Sequence, residues 1–359
     1  GAGFSRRRGR ALLRKPESRE ESLMALTKLV VANRGEIAIR VLRAASDLGI
    51  ATVAIHSADD ATSLHVAQAD EAIALEGRGV AAYLDGAQIV ERARELGSDA
   101  VHPGYGFLAE SAEFARLCAE AGLTFVGPSV EALSLFGDKV RARQLAVAEG
   151  VPVLAGTDGP TSVEEAAAFF GGLPDGAAMM IKAVAGGGGR GTRAVHTADE
   201  IGATYERCRS EAEGAFAGGS LYVEQLLERA RHVEVQVLGD ETEVVDFGER
   251  ECSVQRRYQK IVEVAPAPGL AAGLRTRLIA AARRLATASG YESLGTVEFL
   301  VDVADQGDDA AFYFIETNAR LQVEHTVTEA VTGVDLVQAQ LRIAGGATLA
   351  ELGLRQEQI

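Results

Sequence analysis

Three observations predict a chain that joins an α/β unit to an α+β unit through a smaller one. From Leu29 to Phe125, strand-like and helix-like apolar runs alternate, the mark of a parallel sheet covered by helices. A glycine run sits between two short strand-like stretches near the middle. Beyond Ala230 long runs of period two take over, the spacing that puts alternate side chains on opposite faces of a strand. A length of 359 residues leaves room for two or three such units.

The elements follow in order. "KLVVAN" reads as a buried parallel strand, "GEIAIRVLRAASDLG" as a helix closed by Gly49, and "ATVAIHS" as the next strand. A helix is predicted over about Tyr83 to Leu96, with strands near Ala100 and Phe125, which completes a doubly wound unit over residues 24–127. Helical patterns at Val130 to Phe136 and Lys139 to Glu149 fill a linker, 128–152, that runs into the Gly/Pro-punctuated "GVPVLAGTDGP". Residues 153–226 carry the strands "AMMIKAV", "TRAVH" and "LYVEQLL" and a helix near Ala198 to Ala212. They are small enough to act as a lid.

In 227–359, "RHVEVQVLGD" puts Val233, Val235 and Val237 on one face and His232, Glu234 and Gln236 on the other. "TEVVDFG", "KIVEVAP", "GTVEFLVD" and "AFYFIE" continue the sheet, with a helix from about Leu270 to Ala288.

The net charge of −15 opposes a general nucleic-acid or anionic-membrane binder, so an anionic ligand must meet a local cluster of cations. No apolar run approaches the roughly 20 residues that span a bilayer. Cys118, Cys208 and Cys252 are widely spaced and odd in number, which fits a reducing cytoplasm better than a disulfide framework or a zinc site. Residues 1–23 hold seven basic and three acidic residues. They read as a disordered leader or an upstream extension rather than a transit peptide, with Met24 as the functional start.

Three stretches carry chemistry. In "IKAVAGGGGRGTRAV", Lys182 precedes Gly186, Gly187, Gly188 and Gly189, and Arg190 and Gly191 follow. A flexible linker is one reading. A hairpin that closes bare backbone N–H groups and cations over polyphosphate is the other. The run is neither a P-loop nor a G-x-G-x-x-G turn.

In "FYFIETNARLQVEH", Glu316, Asn318, Arg320, Gln322 and Glu324 recur at every second residue, so a continuing strand would point them one way. The apolar residues before them predict a central strand covered on both sides, entering a site. Glu298 on "GTVEFLVD" suits a shared Mg²⁺ with Glu316, and Asn318 adds a neutral oxygen. In "ERECSVQRRYQK", Arg256, Arg257 and Lys260 form either a solvated basic loop or a grip for a small anion.

With these stretches, "VANRGEIAIRV", "HPGYGFLAE", "GDKVRAR", "RHVEVQVLGD" and "FIETNARLQVEHTVTE" resemble, in order, the biotin carboxylase component of the biotin-dependent acyl-CoA carboxylases, in the ATP-grasp superfamily. The resemblance runs from about Leu29 to the last residue. It implies an ATP-grasp fold with an N-terminal doubly wound domain, a lid that closes the glycine hairpin over the nucleotide, and a C-terminal mixed sheet. Lys139 and Lys182 match nucleotide-contacting lysines, Glu224 and Leu226 the hinge at the adenine edge, and His232 and Gln255 residues lining the nucleotide. Glu298, Glu316 and Asn318 match ligands of Mg²⁺ or Mn²⁺. Lys260, Arg320, Gln322, Val323 and Glu324 match the bicarbonate pocket, and Tyr105 an aromatic near biotin. Ala185 stands where the family has one more glycine.

The activity implied is ATP-dependent carboxylation of carrier-bound biotin, with Glu324 as base. It serves an acyl-CoA carboxylase and hence fatty acid biosynthesis, in the cytoplasm. The implied partners are a biotin carboxyl carrier and a carboxyltransferase, in the same chain or as subunits of a homo-oligomer, with no nucleic acid and no membrane. The family continues past the equivalent of Ile359 by several strands, one with an arginine that steadies the biotin enolate, which implies an incomplete biotin half-site here. The alternatives are another ATP-grasp carboxylate ligase, such as a carbamoyl-phosphate-synthase-like enzyme, and a nucleotide-binding module without turnover.

Overall fold

The computed structural model describes residues 26–185, 191–215, 218–304 and 307–359. Strands β1 (Lys28–Val31), β2 (Ala51–His56), β3 (Glu71–Ala74), β4 (Ala100–His102) and β5 (Thr124–Phe125) form a parallel sheet in the order β3-β2-β1-β4-β5. Their apolar runs are unbroken because both faces are covered. Leu29 and Val31 pack with the helix Gly35–Asp47 on one face, and Val30 and Val101 with residues of Gly86–Glu95 and Ala112–Glu120 on the other.

The helix expected over Tyr83 to Leu96 is two, Gly79–Tyr83 and Gly86–Glu95. The Asp85 carboxylate accepts the Gln88 N–H and starts the second, so a cap interrupts an otherwise helical pattern. β3 carried no sequence signal, since it is short and mostly exposed.

Strands β6 (Ala178–Ala183), β7 (Thr192–Val195) and β8 (Leu221–Leu226) form an antiparallel sheet in the order β7-β6-β8. Met179, Ile181 and Val223 pack under the helices Val163–Gly171 and Ile201–Ala215. The first of these helices was not anticipated. Gly186, Gly187, Gly188 and Gly189, the hairpin tip expected from the sequence, lie outside the described residues. The base of the hairpin is described: the Ala183 N–H donates to Gly191 O at 2.9 Å, and the Lys139 N–H to Val184 O at 3.1 Å.

Strands β9 (Ala230–Gly239), β10 (Val244–Arg256), β11 (Gln259–Val264), β12 (Ser293–Asp302) and β13 (Phe312–Asn318) form an antiparallel sheet, β11-β10-β9-β12-β13. Val233, Val235, Val237, Val297 and Phe299 share one face with Leu274, Leu278 and Leu285 of the helix Ala272–Ala288. The helices Val130–Phe136 and Lys139–Ala148 join the same core, so these linker residues are packed rather than merely connecting. A Cβ at position 239 would lie 1.9 Å from Tyr291 O, so only glycine lets β9 end against that chain turn.

Two expectations about the end of this sheet are corrected. β13 is an edge strand, not a central one. Its apolar run is buried because the Phe314 N–H donates to Pro152 O at 2.8 Å and the helix Lys139–Ala148 lies over it. The strand also stops at Asn318, so Arg320, Gln322 and Glu324 do not continue its alternation. They lie on the irregular turn that leads into the helix His325–Thr332, with Glu324 at its N-cap position.

Candidate active site

The polar face of the third sheet carries a row of charges set by register. Glu316 on β13 lies opposite Glu298 on β12, Glu298 opposite Glu234 on β9, and Glu234 opposite Arg250 on β10. Like charges directly opposite one another repel, so three carboxylates in one row need cations close by. Four cationic groups surround them.

Lys260 on β11 meets three carboxylates at once: Glu298 Oε1 at 2.7 Å, Glu324 Oε1 at 2.8 Å, and Glu234 Oε2. Burial works against its ammonium, but Glu298, Glu234 and Glu324 outweigh that and hold its pKa above the ordinary lysine range. In return, although burial pushes the other way, Lys260 holds the Glu324 carboxyl below its ordinary value. Glu298 is held well below, by Lys260 and then by His232, whose Nε2 lies 2.6 Å from Glu298 Oε2. The same contact raises His232 against the effect of burial.

Arg250 is fully buried. It donates to Glu234 at 2.5 Å, Gln236 at 2.8 Å, Thr328 at 2.8 Å, Thr296 at 3.2 Å and Gln322 at 2.9 Å. A buried arginine with that many acceptors is fully compensated, and it ties three strands to the turn after β13.

Glu298 Oε1 also accepts the Asn318 amide at 2.6 Å and the Gln322 amide at 3.0 Å. Arg320 donates to Asn318 Oδ1 at 2.9 Å and to Glu110 Oε2 at 3.0 Å. Thus Lys260, Arg320, Gln322, Glu324, Glu298 and Asn318 form one connected network. Val323 is not part of it and is exposed.

A second cluster brings Lys139 and Glu316 near Lys182 and Glu224 of the second sheet. Lys139 pairs with Glu316, and Lys182 pairs with Glu224 across β6 and β8. Burial opposes the charge on both Lys139 and Glu316, yet their pairing raises the lysine and lowers the glutamate. Gln255 donates to His232 Nδ1 at 2.8 Å and so belongs with the first cluster. Leu226 ends β8, opposite Ala178. Tyr105 sits half-buried beside the core under the first sheet, and its carbonyl accepts the Asn33 amide at 2.8 Å.

Glu298, Glu316 and Asn318 offer only oxygen donors, which suits a hard cation such as Mg²⁺. Buried carboxylates that now lean on Lys260, His232 and Lys139 would be neutralised equally by a divalent ion, so the residues fit one. Ligand atoms of His232, Glu234 and Glu298 also gather within 4.8 Å of one another. Sequence reasoning missed Glu234, Arg250 and Glu110 as members of the site. The period-two pattern already set Glu234 on the polar face, but nothing local singled out Arg250 or Glu110.

Residues 25–133 match the family model described as the biotin carboxylase N-terminal domain, and residues 138–352 that of the carbamoyl-phosphate synthase L chain ATP-binding domain. The biotin carboxylase domain of a 2-oxoglutarate carboxylase from Hydrogenobacter thermophilus is 45% identical, with a TM-score of 0.88, over 93% of this chain and 72% of that one. This chain belongs to the biotin carboxylase family.

The Hydrogenobacter domain was solved as a dimer with MgADP, ADP and bicarbonate. Human mitochondrial pyruvate carboxylase is 52% identical over 99% of this chain, which spans 30% of that protein. A single-chain, multi-domain long-chain acyl-CoA carboxylase is 47% identical with a TM-score of 0.77, over 91% of this chain and 29% of that one. No helix among the described residues is long and apolar enough to cross a membrane.

Proposed function

We propose that this chain carries out the MgATP-dependent carboxylation of carrier-borne biotin by bicarbonate. The observation that carries the proposal is Lys260, which bridges Glu298 on the nucleotide side of the site to Glu324 on the other. A bicarbonate there would be held by Lys260, Arg320 and Gln322. Glu324, ionised because Lys260 lowers its pKa, takes the proton of bicarbonate. The freed oxyanion attacks the γ-phosphorus, and the bond to the ADP oxygen breaks to give carboxyphosphate and ADP.

Lys139 and Lys182 bind nucleotide oxygens once released from Glu316 and Glu224, which are then free for other partners. Glu298, Glu316 and Asn318 would hold Mg²⁺ or Mn²⁺, which supplies charge neutralisation on the phosphates. The unit 153–226, with Gly186 to Gly191, acts as the lid; Glu224 and Leu226 line the adenine edge, and His232 and Gln255 lie beside the phosphates. Carboxyphosphate releases CO₂ and phosphate, phosphate removes the biotin N1 proton, and the enolate takes up CO₂. Val323 adjoins the bicarbonate pocket, and Tyr105 flanks the biotin side.

We infer that the final acceptor is pyruvate rather than an acyl-CoA, which the sequence alone had suggested. Identities of 49–53% to pyruvate carboxylases from Homo sapiens, Caenorhabditis elegans, Aspergillus niger and Bacillus subtilis support this reading. A carrier domain and a carboxyltransferase, with assembly as a homo-oligomer, complete the proposed enzyme. Three buried, free cysteines favour a reducing compartment, the cytoplasm or a mitochondrial matrix.

The test is ADP release with bicarbonate and free biotin varied separately. The proposal requires ATP cleavage that depends on bicarbonate and carboxylation of added biotin. Cleavage driven instead by ammonia plus bicarbonate, with biotin inert, would point to the carbamoyl-phosphate type of ligase and overturn it.

A further inference from the structure

Arg320 carries five N–H groups in a planar fork. Three are engaged: Nε with Glu110 Oε2 at 3.0 Å, Nη2 with Asn318 Oδ1 at 2.9 Å, and Nη1 with Leu321 O at 3.2 Å. Among the described residues one N–H on each terminal nitrogen has no partner, and a planar oxyanion can accept from both terminal nitrogens side by side. Asn318 and Leu321 are Arg320's own chain neighbours and move with it. Glu110 is 210 residues away, on the first sheet unit, and orients the guanidinium relative to the rest of the molecule.

The segment that brings Glu110 there is held rigidly. It follows β4, which lies beside β1 where the strand order of the parallel sheet reverses. In such sheets the crevice between the two loops commonly takes a ligand. Here Asn33 closes it, its amide donating to Pro103 O at 2.7 Å and Tyr105 O at 2.8 Å. Burial pushes the pKa of His102 down to about 3, so the ring is neutral. Its Nδ1 accepts the Gly104 N–H at 2.9 Å, which leaves Nε2–H to donate to Gln340 Oε1 at 3.2 Å.

Phe107 is a non-glycine residue at φ +41°, a strained conformation kept in place by its ring, which stacks on Tyr83 at 5.2 Å under the Arg34 guanidinium. Strain of this kind persists where the surroundings over-determine it. The loop therefore arrives at Arg320 in one shape.

We propose that Glu110 is a positioning residue for bicarbonate, acting through Arg320 by fixing which two N–H groups that side chain presents. The inference rests on the proposed biotin carboxylase reading and adds to it a reason for the N-terminal unit to be present. The Glu110 side chain is 45% exposed, so replacing it leaves no cavity.

The experiment compares Glu110→Ala and Glu110→Gln with the parent enzyme, in the full chain. In Glu110→Ala the KM for bicarbonate rises roughly ten- to a hundredfold, the range for losing one charge-assisted hydrogen bond, while the KM for MgATP and the urea midpoint stay put. Glu110→Gln keeps an accepting oxygen and recovers most of the loss. With ¹⁵N-labelled arginine, exchange of the Arg320 Nε proton is slow in the parent and in Glu110→Gln but fast in Glu110→Ala.

An unchanged bicarbonate KM in Glu110→Ala, equal losses for bicarbonate and ATP with lowered stability, or an unchanged Nε exchange rate overturns the positioning role. A parent enzyme without bicarbonate-dependent ATP cleavage refutes the proposed function instead, and the exchange comparison still decides whether Glu110 holds Arg320.

Discussion

Replacing Lys260 by Met removes one cation from three carboxylates, Glu234, Glu298 and Glu324, whose side chains are 0%, 5% and 6% exposed. Breaking a buried pair on one side costs about 3–5 kcal/mol when the remaining charge stays put. Here at least one carboxylate has a cheaper escape, which is to take up a proton. Each proton the folded state holds and the unfolded state does not makes stability fall by about 1.4 kcal/mol per pH unit.

The variant should therefore lose about 3 kcal/mol more than it already has between pH 6 and pH 8 if one proton is held. Within this network the parent has only the slope of His232, whose raised pKa gives stability present below 6.5 and lost as pH rises through its folded value. Its raised Lys260 contributes stability that is fully present below the ordinary lysine pKa of 10.5 and is lost only as pH rises through the higher folded value. Its lowered Glu298 and Glu324 contribute stability present above the ordinary 4.5 and lost as pH falls through their lower folded values. The parent is thus level from about pH 5 to pH 10 as far as Lys260, Glu298 and Glu324 go.

Urea unfolding of both proteins at pH 6, 7 and 8 measures the slope. Added Mg²⁺ should recover part of the loss, because a divalent ion at Glu298 and Glu316 restores the missing charge. A stability difference between variant and parent that is the same at all three pH values would refute the shared-cation account.

Three other outcomes follow from the same geometry. Glu324→Gln keeps the side-chain shape and ATP affinity but removes the proton acceptor, so bicarbonate-dependent ATP cleavage should fall by roughly 10² or more; near-normal turnover would sink its role as base. Glu298→Gln and Glu316→Gln should each raise the Mg²⁺ concentration needed for half-maximal ATP cleavage, whereas lost stability with unchanged magnesium dependence would make them structural only. Val254, Ile261, Val262 and Val264 are exposed on the β10–β11 hairpin, and β11 is an unpaired edge. Ile261→Lys in the 359-residue chain should reduce concentration-dependent association by light scattering; an equal tendency in both proteins would exclude this edge as its cause.

What was legible in the sequence is what repeats locally. Val233, Val235 and Val237 against His232, Glu234 and Gln236 declared both faces of β9, because the strand period needs no knowledge of neighbours. β13 was readable as a buried strand but not as an edge, since an apolar run is the same whether a second strand or the segment at Pro152 covers it. The alternation from Glu316 to Glu324 named five members of the site's neighbourhood for a reason that holds only as far as Asn318. Beyond that residue the turn, not the strand, delivers Gln322 and Glu324.

Register was illegible, and it decides the electrostatics. That Glu316, Glu298 and Glu234 share one row follows from strand order and bulges between β12 and β13. Once they share it, the placement of cations follows: Arg250 at the end of the row, Lys260 and His232 against its middle, and Lys139 at its other end. An acidic chain builds its anion-binding site this way because each lysine or arginine is already held by a carboxylate before any ligand arrives. Binding then exchanges one set of partners for another, rather than bringing an isolated buried charge into being, and the second course costs several kcal/mol per ion.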